Sequence, residues 1–157
     1  GRYASVSPPF TLIVKLTEAW QNSNYKYAHA FVGAATPGKI ISIGPIYSDG
    51  AKLQGRVWST PGDGGPAVIT PTTEPYATGA TGNYPWYLGV SVASSTDASY
   101  FASRDGLIWY TIAMNRNDSL TIGSAGVCVG DYGGTSVQAA YDYIRIWNSA
   151  KTFPRFT

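Results

Sequence analysis

From Trp86 to Ile112 the chain alternates apolar positions with small or polar ones, in runs that read as three antiparallel strands with their turns written in. Trp86, Leu88, Val90 and Val92 fall on one side of an extended backbone and Tyr87, Gly89 and Ser91 on the other, the period of two expected of a strand with one buried face. Ser94-Ser95-Thr96-Asp97 follows, short polar side chains that bond back to nearby backbone and favour a turn. A second strand is predicted from Ala98 to Ser103. Arg104-Asp105-Gly106 predicts a tight two-residue reversal, because Asp-Gly tolerates the positive φ that such a hairpin loop demands. Leu107 to Ile112 then returns as a third strand carrying Trp109.

The same reading extends along the chain. Phe10 to Glu18 places Phe10, Leu12, Val14 and Leu16 on one face, and Tyr25 to Gly33 repeats large aromatics at Tyr25, Tyr27 and Phe31, both strand patterns. Lys39 to Tyr47 is β-branched but interrupted by Gly44-Pro45; proline cannot donate to a ladder, so a bulge or a sheet edge is expected there. Lys52 to Trp58 alternates Leu53 and Val57 with Lys52, Gln54 and Arg56, and is expected to pair with the preceding strand through Ser48-Asp49-Gly50. Ser59 to Tyr84 is irregular and rich in proline and glycine, with a short strand at Val68-Ile69; a segment this long marks a functional or mobile loop. Leu120 to Gly130 and Gln138 to Trp147 complete the set, separated by a glycine-rich turn at Asp131-Tyr132-Gly133-Gly134. No apolar helical period and no internal repeat is present. About nine short strands with regular turns predict an all-β antiparallel sandwich or barrel, and periodicity alone leaves immunoglobulin-like, jelly-roll and closed-barrel forms open.

Composition agrees with that class. The 157 residues suit a single domain, 1–157, with a short N-terminal arm over 1–9; aromatic residues make up 14% against 13% charged, and glycine occurs 18 times, a balance of turns and bulky strand residues. The net charge is +2, with its basic residues scattered from Arg2 to Arg155, so no basic groove for nucleic acid is expected. No apolar run reaches the length of a membrane span, and membrane insertion is not expected. Cys128 is the only cysteine and reads as a small buried hydrophobe, which fits an intracellular assembly or a bacterial product better than a eukaryotic secreted domain. The chain opens on GRYASVSPP, without a signal-peptide pattern or an initiator methionine, and is expected to be a processed product or part of a longer precursor.

The order of the last blocks carries a family resemblance. YLGVSV leading into YFASRDGLIWYTI, then TIGSAGVCVG, then AAYDYIRIWN, resembles the C-terminal half of concanavalin A-like (laminin G-like) sandwich domains, with their S-x-D-G-x-x-W turn, G-x-x-G-V-x-V strand and D-x-I-R-I-W closing strand. FTLIVKLT and YAHAFVGA are similar to early strands of the same family. The resemblance is closest over residues 84–148. It implies a jelly roll of two antiparallel sheets, one concave, of the kind found in bacteriophage virion proteins and as accessory modules on bacterial carbohydrate enzymes.

Catalytic chemistry finds few carriers. A retaining glycosidase needs two carboxylates about 5 Å apart, which alternate positions on one strand supply; the resemblance implies an E-x-D-x-x-E strand in glycan-cleaving members. The only glutamates are Glu18 and Glu74, and the aspartates sit mostly beside Gly, Ser or Asn, where turn chemistry accounts for them. His29 is the single histidine and reads first as a packed strand residue. Lyases of this fold use His and Tyr with basic helpers on the concave sheet, which makes Tyr25, Tyr27 and His29 the place to look, although their Arg- and Gln-rich motifs are missing. No cofactor is expected; Ca2+ could be held at a sandwich rim, with Asp63 and Asp131 as weak candidates, though six or more oxygens would be required. Sugars stack on exposed aromatic faces. Trp58, Tyr76, Tyr84, Trp86 and Tyr132 flank loops and are the candidate glycan-binding residues, whereas Trp109 and Trp147 match the family's packing positions.

The sequence thus predicts a non-enzymatic, non-catalytic domain on a virion surface, as capsid decoration, head fibre or tail fibre, with a glycan-binding role in host attachment. Other virion proteins or further copies of itself are its expected partners, with cell-surface or environmental glycans as ligand. A carbohydrate-binding module of a secreted bacterial protein is the alternative, and a polysaccharide-cleaving enzyme the third reading.

Overall fold

The computed structural model describes residues 1–19, 26–35, 38–47, 51–59, 67–70, 85–114, 119–131 and 138–153. Among these residues there is no helix. The strands are β1 (Arg2–Ser5), β2 (Phe10–Ala19), β3 (Lys26–Gly33), β4 (Ile40–Tyr47), β5 (Ala51–Trp58), β6 (Ala67–Thr70), β7 (Trp86–Ser94), β8 (Asp97–Ser103), β9 (Tyr110–Ala113), β10 (Ser124–Asp131) and β11 (Ala139–Trp147). They form a six-stranded sheet in the order β1-β10-β3-β4-β5-β6 and a five-stranded sheet in the order β11-β2-β7-β8-β9, with every pairing antiparallel.

The period-two pattern decides which side chains lie between the sheets. Phe10, Leu12, Val14 and Leu16 of β2, with Trp86, Leu88, Val90 and Val92 of β7, face Ala28, Ala30, Val32, Ile41, Ile43, Leu53, Ala125 and Val127 of the opposite sheet in one core cluster. Burial of each Val, Leu, Ile or Phe among them contributes about 1.5–3 kcal/mol before conformational entropy is subtracted. Tyr141 of β11 spans the layer, its hydroxyl donating toward the carbonyls of Cys128 (3.3 Å) and His29 (3.5 Å).

Three expectations are corrected. Residues 1–9 include β1, which extends the six-stranded sheet by pairing with β10. Gly44-Pro45 makes neither an edge nor a bulge, for β4 is a continuous interior strand with no register shift against either neighbour. The β3–β4 register passes over Gly44 and Pro45 while the β4–β5 register includes both, so the missing proline N–H falls where no β3 partner is engaged. Finally, the Asp105-Gly106 turn is not a two-residue hairpin. β8 and β9 are joined by residues 104–109, and Asp105 Oδ1 organises the connection by accepting the backbone N–H groups of Leu107 (2.8 Å) and Ile108 (2.9 Å). Those two bonds hold its carboxyl below the usual carboxylate range, and Gly106 takes the positive φ of 76°.

The outer face of the five-stranded sheet carries a second, smaller cluster. Phe101, Trp109 and Phe153 pack together with Ile13 and Tyr87, so Trp109 is a packing residue as expected, but outside the inter-sheet core. The segment after β11 folds back over this face: Thr11 Oγ1 donates to the Ser149 carbonyl and accepts the Lys151 N–H, both at 2.8 Å. Gly89 leaves the space that the Phe153 and Trp109 rings fill; a Cβ there would meet them at 2.8 and 2.9 Å.

Candidate functional site

The outer face of the six-stranded sheet holds a concentration of polar and aromatic groups. Since Ala28, Ala30, Ile41, Ile43 and Leu53 point into the core, the alternating residues Tyr27 and His29 of β3, Ser42 of β4, and Gln54, Arg56 and Trp58 of β5 point away from it. The sheet order places β4 between β3 and β5, and Ser42 is the junction. Trp58 Nε1 donates to Ser42 Oγ at 2.7 Å, and the same hydroxyl lies 2.8 Å from His29 Nδ1. Beside them Arg56 donates through Nε (3.1 Å) and Nη2 (2.8 Å) to Gln54 Oε1. The Tyr27 ring is 4.7 Å from Trp58 and 5.2 Å from His29, centroid to centroid.

This face is closely packed. His29 and Ser42 are fully buried and Gln54, Arg56 and Trp58 nearly so; Tyr27 alone is half-buried. Burial first, and the Arg56 charge second, push His29 down to about 3, so its imidazole is neutral at any physiological pH. A hydrogen-bonding contact with the Pro45 carbonyl works the other way, and Nε2 is buried without an aligned hydrogen-bond partner. Gly44 permits this arrangement: it has a φ of 155° and lies against the His29 ring, whose Cδ2 would be 2.7 Å from any Cβ.

The expected binding residues fare differently. Trp58 belongs to this cluster, but as a buried side chain, 3% exposed, rather than an open stacking platform. Trp86 is corrected to a core residue, 5% exposed, with the Arg104 guanidinium 4.2 Å above its ring. Tyr76, Tyr84, Tyr132 and Asp63 lie outside the described residues, as does Tyr25; Asp131 ends β10. Among the described residues no group of three or more His, Cys, Asp or Glu side chains could hold a metal. Cys128 pairs with His29 across β10 and β3. It is half-buried rather than a core residue, and desolvation pushes its thiol up to about 12. The sequence reading missed Ser42, Gln54 and Arg56, although the alternation of KLQGRVW already sets Gln54, Arg56 and Trp58 on one face.

No protein-family model matches the chain, and no curated protein matches its sequence. Solved structures do. A functionally unknown protein from Saccharomyces cerevisiae is similar over 96% of this chain and 74% of its own, with TM-score 0.70 and 15% identity. A GH43 protein from Bacillus licheniformis matches 90% of this chain at TM-score 0.65 and 15% identity, but the match spans only 27% of that longer chain. Sheep galectin-11, in complex with glycerol, matches 93% of this chain and 96% of its own, at TM-score 0.53 and 14% identity. The likeness is one of fold: the chain is a concanavalin A-like, galectin-type β-sandwich.

Proposed function

We propose that this domain is a non-catalytic glycan-binding module whose ligand site is the outer face of the six-stranded sheet. One observation carries the reading: a tyrosine, a tryptophan, an arginine, a glutamine and a histidine converge there, with the half-buried Tyr27 ring 4.7 Å from that of Trp58. Sugars are recognised by apolar ring faces combined with fixed, planar hydrogen-bonding groups. The galectin-type fold supports the choice.

Two points support a binding role over hydrolysis. The described acidic side chains on strands are Glu18, Asp97 and Asp142, all on the five-stranded sheet, and the last is engaged with Lys15 at 2.8 Å. The likeness to the GH43 protein concerns about a quarter of that chain. Display on a virion surface, as decoration or fibre with host glycans as the target, remains the setting suggested by the sequence resemblance; a secreted bacterial module is the alternative setting.

Affinity electrophoresis and a glycan array test the site. Saturable retardation that Trp58→Ala and Arg56→Gln abolish, with urea midpoints showing both variants folded, is the expected result. Retardation unchanged in both would remove the site, and polysaccharide cleavage abolished by His29→Asn would replace binding with catalysis. The setting is tested separately by looking for the chain at a fixed copy number in purified particles.

A further inference from the structure

Five polar side-chain ends meet on the outer face of the five-stranded sheet, on the opposite side of the sandwich from the site assigned above. The strand registers set Tyr143 of β11 beside Lys15 of β2, and Lys15 beside Tyr87 of β7. Val14 and Leu16 point into the core, so this row points outward. Lys15 Nζ donates to Asp142 Oδ2 at 2.8 Å and lies 5.8 Å from the centre of the Tyr87 ring. The two tyrosine rings are 6.4 Å apart and tilted by 55°, and the Arg145 guanidinium rests 4.6 Å from the centre of the Tyr143 ring. Burial first, then Tyr87, hold the Tyr143 hydroxyl above its ordinary value; Arg145 and Lys15 oppose them and Asp142 adds to them. All four neighbours therefore lie within reach of one phenol oxygen.

Most of this face is covered by the chain itself. In the adjoining row Arg145, Ile13, Gly89 and Phe101 stand side by side, and Phe153 fills the hollow over Gly89. One row further, Thr11 is clamped to the backbone of Ser149 and Lys151. The row of Tyr143, Lys15 and Tyr87 stays accessible: the Lys15 and Asp142 side chains are 25% and 51% exposed, and both tyrosines are half-buried. Beyond Tyr87 the turn braced by Asp105 ends this shelf, with Gly106 against the Tyr87 ring.

The ion pair leaves hydrogen-bonding capacity free. Lys15 uses one of its three ammonium hydrogens and Asp142 one of its two oxygens, and neither makes another hydrogen bond among the described residues. Together the two charges cancel, which suits a neutral ligand better than an anion. They set a donor beside an acceptor, and two neighbouring hydroxyls of a sugar answer that arrangement, one accepting from Nζ and the other donating to Oδ1. The tyrosine rings supply apolar surface for the sugar's C–H groups.

We propose that this row is a second glycan site, selecting neutral sugars that present two neighbouring free hydroxyls. It stands independently of the site on the six-stranded sheet, and with both occupied a single domain links two glycan chains.

Affinity electrophoresis tests it with glucomannan, galactomannan and dextran, whose residues carry such hydroxyl pairs, and with laminarin, whose internal residues do not. At least one of the first three should retard the protein, and periodate cleavage of its hydroxyl pairs should weaken that retardation about tenfold. Asp142→Ala and Tyr143→Ala should each weaken it to a similar extent and change nothing toward laminarin. Glu18→Gln, an exposed charge on the same sheet, should leave it intact. Should Tyr143→Ala fail to fold by its urea midpoint, the exposed Asp142→Ala alone decides. Retardation indifferent to periodate, or a laminarin response that falls in the same variants, overturns the selection for hydroxyl pairs. Retardation removed by Trp58→Ala and Arg56→Gln but untouched by Asp142→Ala and Tyr143→Ala overturns this site and leaves the one on the six-stranded sheet standing. No retardation by any of the first three polysaccharides overturns this site, while the glycan array still decides the other.

Discussion

Acidification from pH 7.5 to 5 is expected to destabilise the fold through His29. Unfolded, the imidazole takes up a proton near its ordinary value of about 6.5; folded, burial beside Arg56 delays protonation to about 3. The folded state therefore binds fewer protons, so this group's contribution is complete above about pH 7.5 and is lost as the pH falls below 6.5 toward 3. Integrating between those two values gives a loss of about 2 kcal/mol at pH 5 relative to pH 7.5, at 1.36 kcal/mol per unit. Cys128, on the strand paired with His29, stays protonated throughout this range, and stopping at pH 5 keeps most carboxylates ionised. Urea unfolding followed by tryptophan fluorescence should show the midpoint falling by roughly 1 M between the two pH values. His29→Asn should be less stable at pH 7.5 yet nearly flat across the interval. A wild-type loss below about 0.5 kcal/mol, or an undiminished loss in the variant, would refute the claim that a buried neutral imidazole drives the effect.

Other perturbations test separate parts of the structure. Gly44→Ala should cost about 2 kcal/mol or more in urea unfolding, because its Cβ would meet the His29 ring and the Ala28 carbonyl at a positive φ. Phe153→Ala should cost about 3 kcal/mol and release the C-terminal segment from Phe101 and Trp109, read as earlier proteolytic loss of that end. Cys128 should react slowly with iodoacetamide at pH 8, because its thiol is pushed up to about 12, and rapidly once urea unfolds the chain.

The strands were legible because alternation is a local property. The runs FTLIVKL and WYLGVSV place their apolar residues on one face in sequence and structure alike. The same parity groups Trp86 with Leu88, Val90 and Val92, and its nearness to a long loop was the weaker signal. β1 escaped because RYAS is short and fully exposed; its strand character comes from pairing with β10, a partner far along the chain. The site was half legible. Parity within β3 sets Tyr27 with His29, and parity within β5 sets Gln54 and Arg56 with Trp58. Their convergence depends on β4 lying between them and on Ser42 joining them. No local pattern encodes sheet order.

The interior position of β2 has a consequence for how the protein must be made. This ten-residue strand is flanked by β7 and β11, one encoded past the middle of the chain and the other near its end. During synthesis it leaves the ribosome before either partner, so neither of its hydrogen-bonding edges can be filled until those strands follow. The five-stranded sheet therefore closes only after translation has passed Trp147, and folding is slow for its size because its pairings are non-local. Until then FTLIVKL is an apolar segment with two open edges, the kind that pairs with copies of itself. Expression that slows initiation or lowers temperature should raise the soluble yield, and nascent chains released before β11 should be the ones that aggregate.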